Sequence, residues 1–304
     1  MVPDFPQTRI ALATGISLDV VDIGPRDGEP LIFLHGFPES HRTWRHQLAH
    51  LSDRYRCIAP DQRGYCRSDK PEGVASYSAD KLTADIFALA TALGVERFTI
   101  IGHDWGGAIA WSVALNGMAN GRVERTIIAN APHPFIFQKK LIEDPDQRAA
   151  SQYMRAFRDP ANDELIAREG ITGLLRKTVN WERSDAMEPA ERDRLLADWK
   201  VPGAAQAMIN WYRATPVHVP AMDEEVALPA FLSAPFPLLT MPTLVIWAMD
   251  DLALPACNLD GLDDLIDDLT IEKVHGCGHF VPWEAPDAVN AAIDRWLEAR
   301  PLDR

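Results

Sequence analysis

The chain is poor in cysteine and in positive charge, and each shortage excludes a class of function. Four cysteines, Cys57, Cys66, Cys257 and Cys277, are scattered through 304 residues with no Cys-x-x-Cys pair. Neither a disulfide framework nor a structural zinc site is therefore legible. Cys277, between His275 and His279, comes nearest to metal-ligand spacing, and no second cluster completes it. Such cysteine usage suits reduced thiols and predicts a cytoplasmic protein. Lys and Arg number 30 against 44 Asp and Glu, a formal net charge of −14. That balance argues against nucleic-acid and anionic-membrane partners, which need clustered cations. No uninterrupted apolar stretch approaches the ~20 residues of a membrane span. The stretch from Met1 to Leu18 lacks the basic start and apolar run of a secretory signal. Internal repeats and low-complexity tracts are absent as well. An acidic patch, Asp260 to Asp268, reads as a solvated helix face.

What is present is a globular composition, 47% hydrophobic, arranged in alternating short β-branched runs and amphipathic stretches. Strands are predicted over Arg9–Ala13, Ser17–Ile23, Leu31–Leu34, Arg56–Pro60, Arg97–Ile101 and Arg125–Ala129. Helices are predicted over Ser40–Leu51, Ser78–Leu93 and Ala108–Leu115, with Ser78 as a cap and Gly94 as a stop. This alternation predicts an α/β fold with a mainly parallel central sheet flanked by helices. The pattern breaks at Ala131-Pro132-His133-Pro134, after which charged-faced helices such as Asp146–Arg158 and Pro189–Trp199 take over. Strand character returns at Thr243–Trp247 and Leu269–His275, and an amphipathic helix, Pro286–Ala299, ends the chain. The expected organisation is a core in two parts, residues 1–133 and 240–304, interrupted by a helical insertion at 134–239.

Gly102-His103-Asp104-Trp105-Gly106 follows one of the core strands and opens a helix. A sharp strand-to-helix turn holds its central residue in strained geometry, so the neighbours must lack bulk. An Asp before a helix is more often a simple N-cap. The flanking glycines favour instead a carboxylate nucleophile, which can displace a leaving group from an sp³ carbon and form an alkyl ester.

At these residues the chain resembles the epoxide hydrolase and dehalogenase branch of the α/β-hydrolase fold. The likeness runs through His35-Gly36-Phe37-Pro38, Asp61-Gln62-Arg63-Gly64-Tyr65, the His103-Asp104-Trp105-Gly106-Gly107 turn and Gly278-His279-Phe280. It implies an epoxide hydrolase with Asp104 as nucleophile, His279 as the base for ester hydrolysis, and a helical cap over the site. The orienting acid should follow the strand ending at Trp247; Asp250 and Asp251 both qualify, and the family pattern prefers Asp251. The backbone N–H groups of Phe37 and Trp105 are the expected oxyanion donors, with Phe37-Pro38 a cis peptide by resemblance. Tyr153 and Tyr212 stand in segments resembling those that carry the two ring-opening tyrosines, while Tyr65 reads as structural. Trp105, Phe37, Trp211 and Phe280 are expected to line the substrate pocket. Among the other histidines, His41, His46 and His50 are expected on a surface helix, and His133 near the cleft without a role. The implied partners are a small apolar epoxide and water, with no metal or organic cofactor; a homodimer is compatible with the family. The alternative within the fold is a haloalkane or haloacid dehalogenase using the same Asp. It is weakened because Phe37 stands where an Asn would bind halide, and no Arg pair flanks Asp104.

Overall fold

The computed structural model describes residues 4–179 and 187–302. Its core is an eight-stranded sheet with the order β1-β2-β4-β3-β5-β6-β7-β8. The strands are β1 (Gln7–Ala11), β2 (Ser17–Ile23), β3 (Pro30–Leu34), β4 (Arg56–Pro60), β5 (Phe98–His103), β6 (Val123–Ala129), β7 (Thr243–Ala248) and β8 (Leu269–Val274). β1 and β2 enter antiparallel, and the remaining pairs from β4 to β8 are parallel. The central strands β3, β5 and β7 are mostly apolar, as strands covered on both faces must be, whereas the edge strand β8 carries Glu272 and Lys273. Leu31, Phe33, Ile101, Ile127 and Ile246 point to one face, under α1 (Arg45–Leu51) and the last helix. Ile32, Ile100, Ile128 and Val245 point to the other, under α2 (Ala79–Ala92) and α3 (Trp105–Asn120). From β3 the chain crosses to β4 on one side, while β5 leads to β6 on the other. The carboxyl ends of β3 and β5 therefore border the crevice where open α/β sheets bind ligands.

Between β6 and β7 the described residues form helices. These are α4 (Pro134–Glu143), α5 (Pro145–Ala150), α6 (Gln152–Arg158), α7 (Asp163–Thr178), α8 (Pro189–Trp199) and α9 (Ala204–Ala214). The helix expected over Asp146–Arg158 is broken at Ser151, whose ψ of 1° is not helical. Two tryptophans seat this layer on the core: Trp199 Nε1 donates to Pro38 O at 2.6 Å and Trp211 Nε1 to Arg63 O at 3.0 Å. Arg42 of the core adds an ion pair to Glu191 of α8, with Nε to Oε2 at 2.6 Å. After β8 come α10 (Val281–Glu284) and α11 (Pro286–Glu298).

Three sequence expectations are corrected here. The acidic stretch Asp260–Asp268 is a series of turns, not a helix, with Leu262, Leu265 and Ile266 buried between exposed aspartates. Ser78 begins α2 but does not cap it through its side chain; its hydroxyl reaches back to Ala75 O. His41 is buried, held by Asp61 at 2.9 Å, and does not lie on the surface. Among the described residues, no helix is long and apolar enough to cross a membrane.

The turn after β5 leaves no room for side chains at its glycines. A Cβ on Gly106 would lie 2.3 Å from Leu34 O and 2.4 Å from His35 O, both backbone atoms. Gly106→Ala should thus force β3 and α3 apart, lowering stability by about 1–3 kcal/mol. A shift of the urea midpoint at unchanged m-value would register the loss.

Candidate active site

Asp104 sits where β5 turns into α3, at φ 51° and ψ −124°. This left-handed backbone is rare for a residue with a Cβ, and its strain is the kind stored at functional turns. Asp104 occupies the N-cap position of α3, yet its side chain makes no capping bond. Its Oδ1 instead accepts the Phe37 N–H at 2.6 Å, across the crevice from the end of β3. The close approach requires Gly36, whose Cβ, if present, would lie 2.4 Å from Asp104 Oδ1. The Trp105 N–H also favours the ionised carboxylate. The Phe37-Pro38 peptide is cis.

His279 is brought to the other oxygen. Its Nε2 lies 3.4 Å from Asp104 Oδ2, and its Nδ1 lies 2.7 Å from Asp251 Oδ2. Asp251 follows β7 and is itself fixed on all sides. Its Oδ1 accepts the N–H groups of Ala253 at 2.8 Å and Leu254 at 3.0 Å, and its Oδ2 accepts Asn130 Nδ2 at 2.7 Å. Asn130 follows β6 at φ 40° and uses its Oδ1 to accept Ala248 N at 2.8 Å. It thereby ties the ends of β6 and β7 to the acid, a connection the sequence reading missed. The only signal was position: a polar residue closing the apolar run Ile127-Ile128-Ala129. Asp250, the other candidate for the acid, is exposed; it accepts the Gly276 N–H at 2.9 Å and so anchors the loop that carries His279.

The electrostatics follow from burial and pairing. Burial opposes charge on Asp104, but the hydrogen bond and charge of His279, with the Trp105 N–H, hold its carboxyl below the usual range. Asp251 is likewise pushed up by burial and held down by His279. His279 is disfavoured as a cation by burial, yet Asp251 and Asp104 together raise it well above the ordinary imidazole value. Burial also keeps His35 and His103 neutral, each lowered to about 4. Their work is structural. His103 Nε2 donates to His279 O at 2.8 Å, and His35 Nε2 accepts Gln62 N at 3.1 Å, joining the loops after β3 and β4.

A cavity of about 310 Å³ opens above Asp104 and Trp105, and Tyr153 of α6 and Tyr212 of α9 form part of its wall. Burial and the nearby Asp104 charge raise the Tyr153 phenol; burial, Tyr153 and Asp104 do the same for Tyr212. Tyr212 is wedged edge-on between Phe37 and Trp105, with ring centroids 5.0 Å from each. Of the four expected pocket residues, Trp105 alone is in the wall. Trp211 lies behind it, edge-on to Trp105 and Tyr65. Phe37 backs Tyr212, and Phe280 packs on His279 at 5.1 Å while stacking on Trp283. These three support wall and base from behind because the aromatic layer is two rings deep. His133, expected near the cleft, is buried against Trp111 and Phe236.

Comparison with known proteins places these features in a family. The sequence profile of the alpha/beta hydrolase fold matches residues 29–286. The AB hydrolase superfamily protein YfhM of Bacillus subtilis is 35% identical over 297 residues, covering 97% of this chain and 99% of that protein. Epoxide hydrolase 1 of Caenorhabditis elegans is 31% identical, covering 93% of this chain and 68% of its own length. A solved structure from a study of novel epoxide hydrolases in metagenomes from hot environments is 64% identical, with a TM-score of 0.93 and coverage of 97% and 99%. The chain belongs to the α/β-hydrolase fold family.

Proposed function

We propose that the protein is an epoxide hydrolase converting small apolar epoxides to vicinal diols through an ester on Asp104. The observation that carries this reading is the presence of two phenols, Tyr153 and Tyr212, in the same cavity wall as a charged carboxylate. The relatives at 31% and 64% identity, both named as epoxide hydrolases, support it. In this reading residues 134–239 are the cap, and 1–133 with 240–304 are the hydrolase core. The scarcity of cysteine pairs supports a cytoplasmic enzyme.

The first step is displacement. Asp104 Oδ2 attacks a ring carbon, the C–O bond breaks, and the oxygen takes a hydrogen bond and then a proton from the tyrosine pair. Phenols suit this task because their raised pKa keeps them protonated at neutral pH. The second step is hydrolysis. Water gives a proton to His279 Nε2 and attacks the ester carbonyl of Asp104. The charge that develops on Oδ1 falls on the N–H groups of Phe37 and Trp105, which already hold that carboxylate. Collapse releases the diol and restores the carboxylate, and the proton from water replaces the one the phenol gave. Asp251 keeps His279 in the tautomer that presents Nε2.

Esterification also switches the base. In the free enzyme two carboxylates hold a proton on His279. The ester removes the Asp104 charge, so the imidazole pKa falls and the neutral form needed to accept a proton becomes populated. Asp104→Asn imitates that neutralisation. Its His279 should therefore titrate at lower pH than in the parent protein, as read by NMR of labelled histidine; an unchanged titration would contradict the switch.

Replacing the base should separate the two steps. His279→Gln is expected to accumulate substrate on the peptide containing Asp104, detected as a mass increase equal to the whole epoxide. Bound substrate with no adduct would rule out the ester. Changing both Tyr153 and Tyr212 to Phe should slow epoxide opening by about 10²–10⁴-fold, while the protein still binds a diol. Halide release from haloalkanes, without diol formation from epoxides, would transfer the assignment to a dehalogenase.

A further inference from the structure

The cavity does not stop at the reacting residues. It touches α3 along one face, at Trp105, Ala108, Ile109, Ser112 and Leu115, and reaches Ala79 at the start of α2. With a rise of 1.5 Å per residue, the ten steps from Trp105 to Leu115 span ~15 Å. Phe137, Val217, Phe236 and Leu254 also line it. The space is thus a corridor with the carboxylate and phenols at one end. At the other end Leu115 is half-buried, while the exposed Ala79 stands to the side, one helical turn before the Thr83 that bonds Ser112.

Its chemistry changes along its length. The Asp104 end holds the carboxylate and both phenols. Beyond them the wall holds no charged side chain, and its two hydroxyls are already engaged within the protein. Ser112 Oγ accepts the Thr83 hydroxyl at 2.9 Å, and Thr215 Oγ1 accepts Val217 N at 3.3 Å. Apart from these two hydroxyls, each of which already accepts a hydrogen bond, the wall offers a ligand only apolar contact, and a charged group there would lose its hydration without compensation.

We propose that the preferred substrate is an uncharged terminal epoxide with an elongated apolar tail, lying along α3 from Asp104 toward Leu115. This rests on the epoxide reading above and adds the shape and polarity of the substrate. An extended chain advances ~1.2 Å per bond, so ~15 Å holds about twelve bonds, of which the epoxide end takes roughly two to four and leaves a tail of about eight to ten carbons. Longer tails outrun the wall at Leu115 and gain nothing more.

The test is a series of terminal epoxides, 1,2-epoxybutane, 1,2-epoxyhexane, 1,2-epoxyoctane, 1,2-epoxydecane and 1,2-epoxytetradecane, assayed for diol formation. The parent protein should show kcat/KM rising roughly tenfold per two methylenes and levelling near the decane. Ser112→Phe and Leu115→Trp block the corridor away from the reacting residues. Each should lower kcat/KM for 1,2-epoxydecane at least tenfold and leave 1,2-epoxybutane unchanged, the latter showing that the variant is folded. Should either variant misfold, Leu115→Phe makes the same test with less added bulk, and the parent series stands without any variant. A flat profile with every epoxide hydrolysed would overturn the tail path but keep the epoxide assignment. A rising profile indifferent to both blocks would also overturn it, placing the tail elsewhere. No diol from any member would overturn the epoxide assignment itself and the tail path with it.

Discussion

Two buried carboxylates share one imidazole at the end of this sheet, and the arrangement is stable only because the charges are counted against each other. Asp104 and Asp251 are each removed from water, which alone would protonate them. His279 between them keeps both ionised, and they in turn keep it charged. A trio of this kind tolerates little displacement, since an unpaired charge in a buried site is costly. Much of the surrounding structure can be understood as holding it still. Asn130 fixes Asp251, Asp250 fixes the loop before His279, and His103 holds the His279 carbonyl.

The helical layer depends on the same centre through the loops that flank it. Trp199 donates to Pro38, one residue past Phe37, and Trp211 donates to Arg63, in the loop whose Gln62 is bonded to His35. Tyr212 follows Trp211 directly, so the indole that docks α9 also sets the position of the phenol. In the proposed mechanism the oxygen-activating groups are therefore registered against the Phe37 N–H by two indole hydrogen bonds. Indoles suit this work because they bring one directed donor on a large apolar body.

The motifs were legible because steric and hydrogen-bonding demands at the crevice are local in sequence. Gly36, Gly102 and Gly106 each face backbone or the Asp104 side chain at distances that exclude any Cβ, and such demands leave a short fixed pattern. The strand-helix alternation was legible for the same reason, since period and apolarity are local properties. Asn130 and the support role of Asp250 were not, because their partners lie 121 and 26 positions away and nothing nearby marks them. The layering of Phe37, Trp211 and Phe280 behind the cavity wall is likewise a packing outcome: an aromatic beside a motif can face the cavity or back the residue that does. The acidic turns at Asp260–Asp268 mimic an amphipathic helix because Leu262, Leu265 and Ile266 fall at helical spacing, and only the local turns distinguish the two.

The polarity of the corridor and the charge trio belong to one physical requirement. Hydrogen-bond donors aimed at Asp104 act strongly only where water is excluded, so an apolar approach to the carboxylate strengthens the groups that carry charge in the reaction. The same exclusion of water raises the pKa of Tyr153 and Tyr212 and keeps them as donors. Excess water beside Asp104 would solvate the nucleophile and weaken its attack on carbon. A tail that fills the corridor displaces that water while leaving the base side, at His279, free to receive the single molecule that hydrolysis needs. Substrate shape and nucleophile strength are then coupled, because the portion of the substrate that does not react completes the environment in which the reacting portion does.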